Sequence, residues 1–251
     1  MAIIQPWAEK KQRVEHSIWL RFTVESEVCL TNIFLGVERP EEKKIVWNGE
    51  VVEYNDTGWY VDKHIRKVSL CGLRKGKNVL EIKQPFGMGT NTEWLYLLGD
   101  FGVRIKGTRK ELFQRERKIS FGDIRESGLP FYGGAFTYHI PLHLPKGTIK
   151  LRVPHYRGGL ISANLDGQQS KRIVIPPYEE TFSVSENGQY FLNITVYPSR
   201  NNAFGPVHLA DKCEEWFGPS AWRSYDDAWT DGYCLKEEGV LSKPVITIFP
   251  D

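Results

Sequence analysis

Ile45-Val46-Trp47-Asn48-Gly49-Glu50-Val51-Val52 is the stretch on which the fold turns. Apolar residues, mostly β-branched, run up to Asn-Gly and resume after it, which reads as strand, two-residue turn, strand. Asn and Gly tolerate the positive φ that such a turn needs, so the pair marks a tight hairpin. Further along, Val68-Ser69-Leu70 is a short apolar stretch, and Leu73 to Ile82 passes through Gly76-Lys77-Asn78 into another strand. The second half repeats that order. Leu160 to Gly167 supplies a hairpin with Asp166-Gly167 in place of Asn-Gly. Thr181 to Val184 gives a strand, and Glu186-Asn187-Gly188 turns into Gln189 to Val196. Ile18 to Val24 and Thr148 to Val153 add alternating stretches, while fourteen Pro and twenty-three Gly leave little room for long helices. The expected fold class is all-β: two tandem antiparallel β-sandwiches, residues 1–107 and 108–251, with a boundary near Gly107.

Apolar residues make up 41% and charged residues 25% of the 251, the profile of a globular protein with a sizeable core. A net charge of +2 gives no general attraction to nucleic acid. The densest basic run, Arg109 to Lys118, is diluted by Glu111 and Glu116 and reads as a solvated strand or linker. No stretch is long and apolar enough for a membrane span. Residues 2–11 lack the apolar centre of a signal peptide, which favours a cytoplasmic location unless the chain is a piece of a longer protein. The four Cys (Cys29, Cys71, Cys213, Cys234) are widely spaced, so buried free thiols are expected rather than zinc ligands.

Signatures of nucleophilic or metal hydrolases are missing. No Gly-x-Ser-x-Gly elbow occurs, and Gly218-Pro219-Ser220-Ala221-Trp222 lacks the second Gly. His139 and His143 are four apart around Pro141 in a strand-like context, so they do not form the helical pair of a zinc peptidase. Gly87-Met88-Gly89 lacks the Lys-Ser/Thr and helix of a phosphate loop. Glycoside hydrolysis needs two facing carboxylates. Candidates with aromatic company are Glu93, Asp211, Glu214, Glu215, Asp226 and Asp227. Their competing roles are capping turns, pairing with Lys212 or Arg223, and bracing a structural calcium ion. No catalytic residue and no cofactor is assigned.

A binding surface is better supported. Sugars present apolar C–H faces ringed by hydroxyls, so their sites combine aromatic platforms with short polar and acidic side chains. Residues 211–233 have that mixture over a long irregular stretch. The candidate ligand contacts there are Trp216, Trp222, Arg223, Tyr225, Asp226, Asp227 and Trp229. His208 and Asn201 join them from the preceding segment, and Trp59 from the loop Tyr54 to Tyr60. The same tryptophans also suit packing over their own sandwich or docking on a neighbouring domain, and His208 also suits orienting a loop by hydrogen bonding.

Val46 to Gly49 and Gly76 to Ile82 resemble the galactose-binding-like jelly-roll domains of large glycoside hydrolases, especially of the family 2 β-galactosidase and α-L-rhamnosidase type. Glu93 to Val103 is similar to the closing strand of a first such domain, and Gly128 to Tyr138 to the opening strand of the next. Ser199 to His208 and Trp229 to Tyr233 resemble its late loops. The likeness runs from about Ile18 to Ile248 and rests mostly on turns, which mark a fold rather than a substrate. Such enzymes work in a separate barrel, and no alternating strand-helix region for one is visible here. The resemblance therefore implies a non-catalytic accessory region. Its partners would be a carbohydrate ligand, a neighbouring catalytic domain or both, with no nucleic acid and no membrane. Two alternatives stay open: a self-contained glycosidase using the loop carboxylates, and a protein-protein interaction module on the same sandwiches.

Overall fold

Strands form where apolar and polar residues alternate. The computed structural model describes residues 14–87, 90, 92, 94–211, 218–222 and 224–251. Its first half holds β1 (Val14–Ser26), β2 (Ile33–Glu38), β3 (Lys44–Trp47), β4 (Glu50–Val52) and β5 (Trp59–Tyr60). It continues with β6 (Asp62–Leu70), β7 (Gly76–Gly87), β8 (Tyr96–Gly99), β9 (Gly102–Lys106) and β10 (Arg109–Phe113). They make two sheets, ordered β4-β3-β7-β1-β10-β9 and β5-β6-β2-β8. Ile45, Trp47, Leu80, Ile82 and Leu112 from the first sheet share a core with Ile33, Leu35, Val37, Val68 and Leu70 from the second. Two sheets closing on one core are a β-sandwich.

The second half holds β11 (Phe136–Leu144), β12 (Gly147–Arg152), β13 (Tyr156–Arg157), β14 (Leu160–Leu165) and β15 (Lys171–Ile173). It ends with β16 (Glu179–Val184), β17 (Gly188–Tyr197), β18 (Gly239–Val240) and β19 (Val245–Pro250). Here the sheets are β11-β17-β14-β15 and β16-β12-β19, with β13 and β18 paired separately. Ile161, Ala163, Leu165, Leu192, Ile194 and Val196 pack with Ile149, Leu151, Phe182 and Val184 across the sandwich. The fold is all-β, as expected.

Strand order exposes the repeat. In the first unit β4-β3-β7-β1 run side by side, and in the second β15-β14-β17-β11 do; opposite them lie β6-β2-β8 and β16-β12-β19. The turns correspond as well. Asn48 and Gly49 take φ of 52° and 89°, and Asp166 and Gly167 take 42° and 73°. The Asn48 amide donates to the Val79 carbonyl (2.8 Å) while Asn48 Oδ1 accepts from Val79 N–H (2.9 Å). Asp166 repeats this with Phe191, at 2.9 and 2.8 Å. The buried Asn78 adds bonds that brace the first turn, accepting from the Arg74 amide and donating to the Arg74 carbonyl. One difference follows the turns. Trp47 and Glu50 pair at once, whereas β14 and β15 rejoin only at Ala163 and Lys171, so the Asp-Gly turn heads a wider loop.

The two compact units part between Arg115 and Glu116 rather than near Gly107. Gly107 lies in the turn of the β9–β10 hairpin, and β10 docks on β1 through the parallel pairs Glu25–Glu111 and Ser26–Leu112. Arg109 to Arg115 of the basic run thus belong to the first unit. Its equivalent edge in the second is β11, with no strand beyond it among the described residues. Phe191 spends both backbone groups on Asp166, so Pro141 opposite it turns its nitrogen to the outer side of β11, where no N–H is needed.

Cys29 and Cys71 are exposed and Cys234 is half-buried, contrary to the buried thiols expected. Cys29 and Cys71 stand in turns beside the Leu30–Leu73 bridge, where backbone pairing fixes the chain without enclosing the side chains. Cys213 lies outside the described residues. Among the described residues no helix is long and apolar enough to cross a membrane.

Candidate ligand-contact surface

Between β17 and β18 no described residue belongs to a strand of the sheets, and the two ends of this long segment are tied together. Asn202, buried, donates from Nδ2 to the Lys236 carbonyl (2.7 Å) and accepts from the Lys236 amide (2.8 Å), as one strand would with another. The Ser199 amide and hydroxyl both donate to Glu238 Oε1, and Glu238 is only 3% exposed. Arg125, paired with Asp123, donates to the Leu235 carbonyl (2.6 Å). These bonds replace the ladder that an irregular stretch lacks.

Within the segment a bridge between Leu209 and Trp229 brings two stretches side by side. The Ala210 amide donates to Ala228 (2.8 Å), Thr230 to His208 (3.0 Å) and Cys234 to Val207 (2.7 Å). His208 Nδ1 donates to the carbonyls of Thr230 (3.0 Å) and Gly232 (3.1 Å), which assigns the proton of the neutral ring to Nδ1 and leaves Nε2 as an acceptor. The imidazole is stacked on Trp229 (centroids 4.5 Å, 27°) and lies against Tyr233 (4.7 Å), which meets Phe131 edge-on at 5.0 Å. Trp229 Nε1 donates to Asp231 Oδ1 (3.1 Å). Ring orientation is thus fixed by stacking and by directional bonds together.

Just before Trp229, the 3-10 turn Asp226–Ala228 starts with Asp226 at φ 59°. Tyr225 is 55% exposed, and Asp226 and Asp227 are exposed beside it. Trp222 is half-buried at the end of the turn Pro219–Trp222. Asn201 is half-buried on the helical turn Asn201–Phe204, and its amide takes the Ser199 hydroxyl as acceptor (3.3 Å). Trp216 and Arg223 lie outside the described residues, as do Glu93, Glu214 and Glu215. Trp59 belongs to the first unit; it is 50% exposed on β5, near an Arg66–Asp56 ion pair in which Arg66 also donates to the Tyr54 hydroxyl (3.3 Å). Of the expected contacts, His208 and Trp229 touch, and Tyr225, Asp226 and Asp227 shortly precede Trp229 in the chain. Among the described residues no three His, Cys, Asp or Glu side chains gather as a metal-ligand set.

Sequence reading missed a second group, on the outward face of the β15-β14-β17-β11 sheet. His139 Nδ1 meets Asn193 Oδ1 at 2.6 Å, and Asn193 Nδ2 donates to Asn164 Oδ1 at 3.0 Å. One row away the Thr137 and Thr195 hydroxyls bond at 2.9 Å. A signal was available: alternation in Gln189 to Val196 puts Gln189, Phe191, Asn193 and Thr195 on one face.

No protein-family model and no curated protein matches the chain. Among solved structures it is similar to a rhamnosidase from Novosphingobium sp. PP1Y, at 15% identity and a TM-score of 0.38, over 91% of this chain and 22% of that one. The chain thus spans about a fifth of that enzyme's length. An anti-sigma factor domain-containing protein from Clostridium clariflavum is similar at 9% identity and a TM-score of 0.20, over 78% of this chain and 79% of that one.

Proposed function

We propose that the chain is a non-catalytic accessory region of a glycoside-hydrolase-like protein, whose second sandwich contacts carbohydrate through residues 199–238. The observation that carries this reading is a tied-down segment in which His208 and Trp229 are held ring on ring while Tyr225, Asp226 and Asp227, shortly before Trp229 in the chain, stand exposed. A fixed aromatic loses little freedom when a sugar stacks on it, and adjacent carboxylates accept from hydroxyls. The duplicated sandwich agrees with the galactose-binding-like resemblance of the two hairpins. Native gels containing soluble neutral polysaccharides (galactomannan, xyloglucan, arabinogalactan) test it. At least one should retard the protein, and Trp229→Ala or Tyr225→Ala should weaken that binding about tenfold. Unchanged binding in both variants would remove the segment from the reading. Hydrolysis of chromogenic glycosides that is lost in Asp226→Asn or Asp227→Asn would overturn its non-catalytic part.

A further inference from the structure

The outward face of the β15-β14-β17-β11 sheet is chemically unusual for a solvated sheet. The register places Thr137, His139, Pro141 and His143 of β11 on it, beside Gln189, Phe191, Asn193, Thr195 and Tyr197 of β17. Leu160, Ser162 and Asn164 of β14 complete its centre. None of these is a Lys, Arg, Asp or Glu; Arg172 and Asp166 stand only at its margin. Lys, Arg, Asp and Glu ordinarily make up about a quarter to a third of a soluble protein's surface, so a whole face without them calls for a reason.

The side chains on it are also ordered. Asn193 Oδ1 accepts from His139 Nδ1, so a neutral His139 ring carries an acceptor at Nε2. Asn193 Nδ2 spends one hydrogen on Asn164 and keeps a second donor, and Asn164 keeps both of its own. The Thr137–Thr195 pair has one hydroxyl proton engaged and one to give. Fixed acceptors and donors therefore stand along the row, with Phe191, 53% exposed, next to it as an apolar platform. We propose that this face is a second contact surface of the second unit, for a neutral, hydroxyl-rich chain such as a glycan. Vicinal hydroxyls need an acceptor and a donor close together, C–H faces need an exposed ring, and a neutral ligand gains nothing from fixed charges that it would have to desolvate. The proposal rests on the reading that this unit meets carbohydrate, but on a surface separate from residues 199–238.

The same neutral polysaccharide gels, run beside anionic polygalacturonate, decide it. Asn193→Ala and Phe191→Ser, removing a half-buried amide and an exposed ring, should bind about tenfold more weakly to the polysaccharide that retards the parent protein. The paired change His139→Arg with Asn193→Glu, which installs the kind of ion pair found on the first unit, should abolish retardation by the neutral polymers. Circular dichroism and the thermal midpoint verify that each variant is folded. Losses confined to Trp229→Ala and Tyr225→Ala, with the sheet variants unchanged, overturn this surface and leave the segment. Losses confined to the sheet variants overturn the segment and leave this surface. Retardation by polygalacturonate alone, or by no polymer, overturns it.

Discussion

At the same place in the two sandwiches, Arg21 faces Glu81 in the first and His139 faces Asn193 in the second. The Arg21–Glu81 pair is an open ion pair at 3.6 Å, flanked by Lys83 above the Trp19 ring. Exposed pairs of this kind contribute at most about 1 kcal/mol and chiefly keep a surface soluble. The second unit has a hydrogen-bonded neutral row in that position. Inward, by contrast, the two units agree: Ile82 and Ile194 are buried at matching positions, and both first turns close on the long central strand by the same reciprocal bonds. Turns and inward residues specify the sandwich, and the outward residues are released for separate uses.

The match of the two cores is the part most easily broken. Trp47 and Leu165 each sit immediately before the turn and are fully buried, and Trp47 also donates its indole N–H to the Gly72 carbonyl at 2.6 Å. Trp47→Ala should cost about 3–5 kcal/mol and Leu165→Ala about 2–5 kcal/mol, read from urea unfolding curves. An indifferent Leu165→Ala would show that the two positions are not equivalent. The turns come next. Asn48→Ala and Asp166→Ala each lose the side-chain acceptor for a strand amide and should cost about 1–2 kcal/mol, whereas Asp166→Asn keeps it and should stay within about 0.5 kcal/mol of the parent. A large penalty in Asp166→Asn would mean that the charge matters at one turn and not at the other.

The smallest effect concerns a position where the inward residues differ. Tyr138 of β11 corresponds to Leu20 of β1, since they pair with Ile194 and Ile82. Burial raises the Tyr138 hydroxyl above its ordinary pKa. Its contribution is therefore fully present below the unfolded value, about 10, and is lost as pH rises through the higher folded one. The second unit should lose stability in that alkaline range, and Tyr138→Phe should flatten the loss, as denaturation curves at neutral and alkaline pH would reveal. A variant that loses stability as steeply as the parent would point to another group.

What could be read from the sequence was local. Asn48-Gly49, Gly76-Lys77-Asn78 and Asp166-Gly167 declare their turns through positive φ, and alternation declares the strands, so the duplicated order is legible in the sequence. The unit boundary was not, because the β1–β10 contact joins residues far apart in sequence and no local pattern announces a parallel partner. Composition located the aromatic-acid segment and named His208 and Trp229. It could not tell Asn201 from its neighbour Asn202, which makes the crossing bonds, since the direction of each side chain is set by the helical turn. The His139–Asn193–Asn164 row escaped for a similar reason: it exists only once three strands take a common register.

Pro141 answers a hazard that the first unit meets in another way. A bare strand border is a template for the like border of another molecule, and stacking of that kind is how sheet proteins come out of solution. The first sandwich occupies the border of β1 with β10, while in the second no strand pairs with the outer side of β11 among the described residues, and a residue with nothing to donate stands in its middle. A foreign strand laid along β11 finds its bonding pattern broken halfway, which disfavours edge-to-edge pairing along that strand.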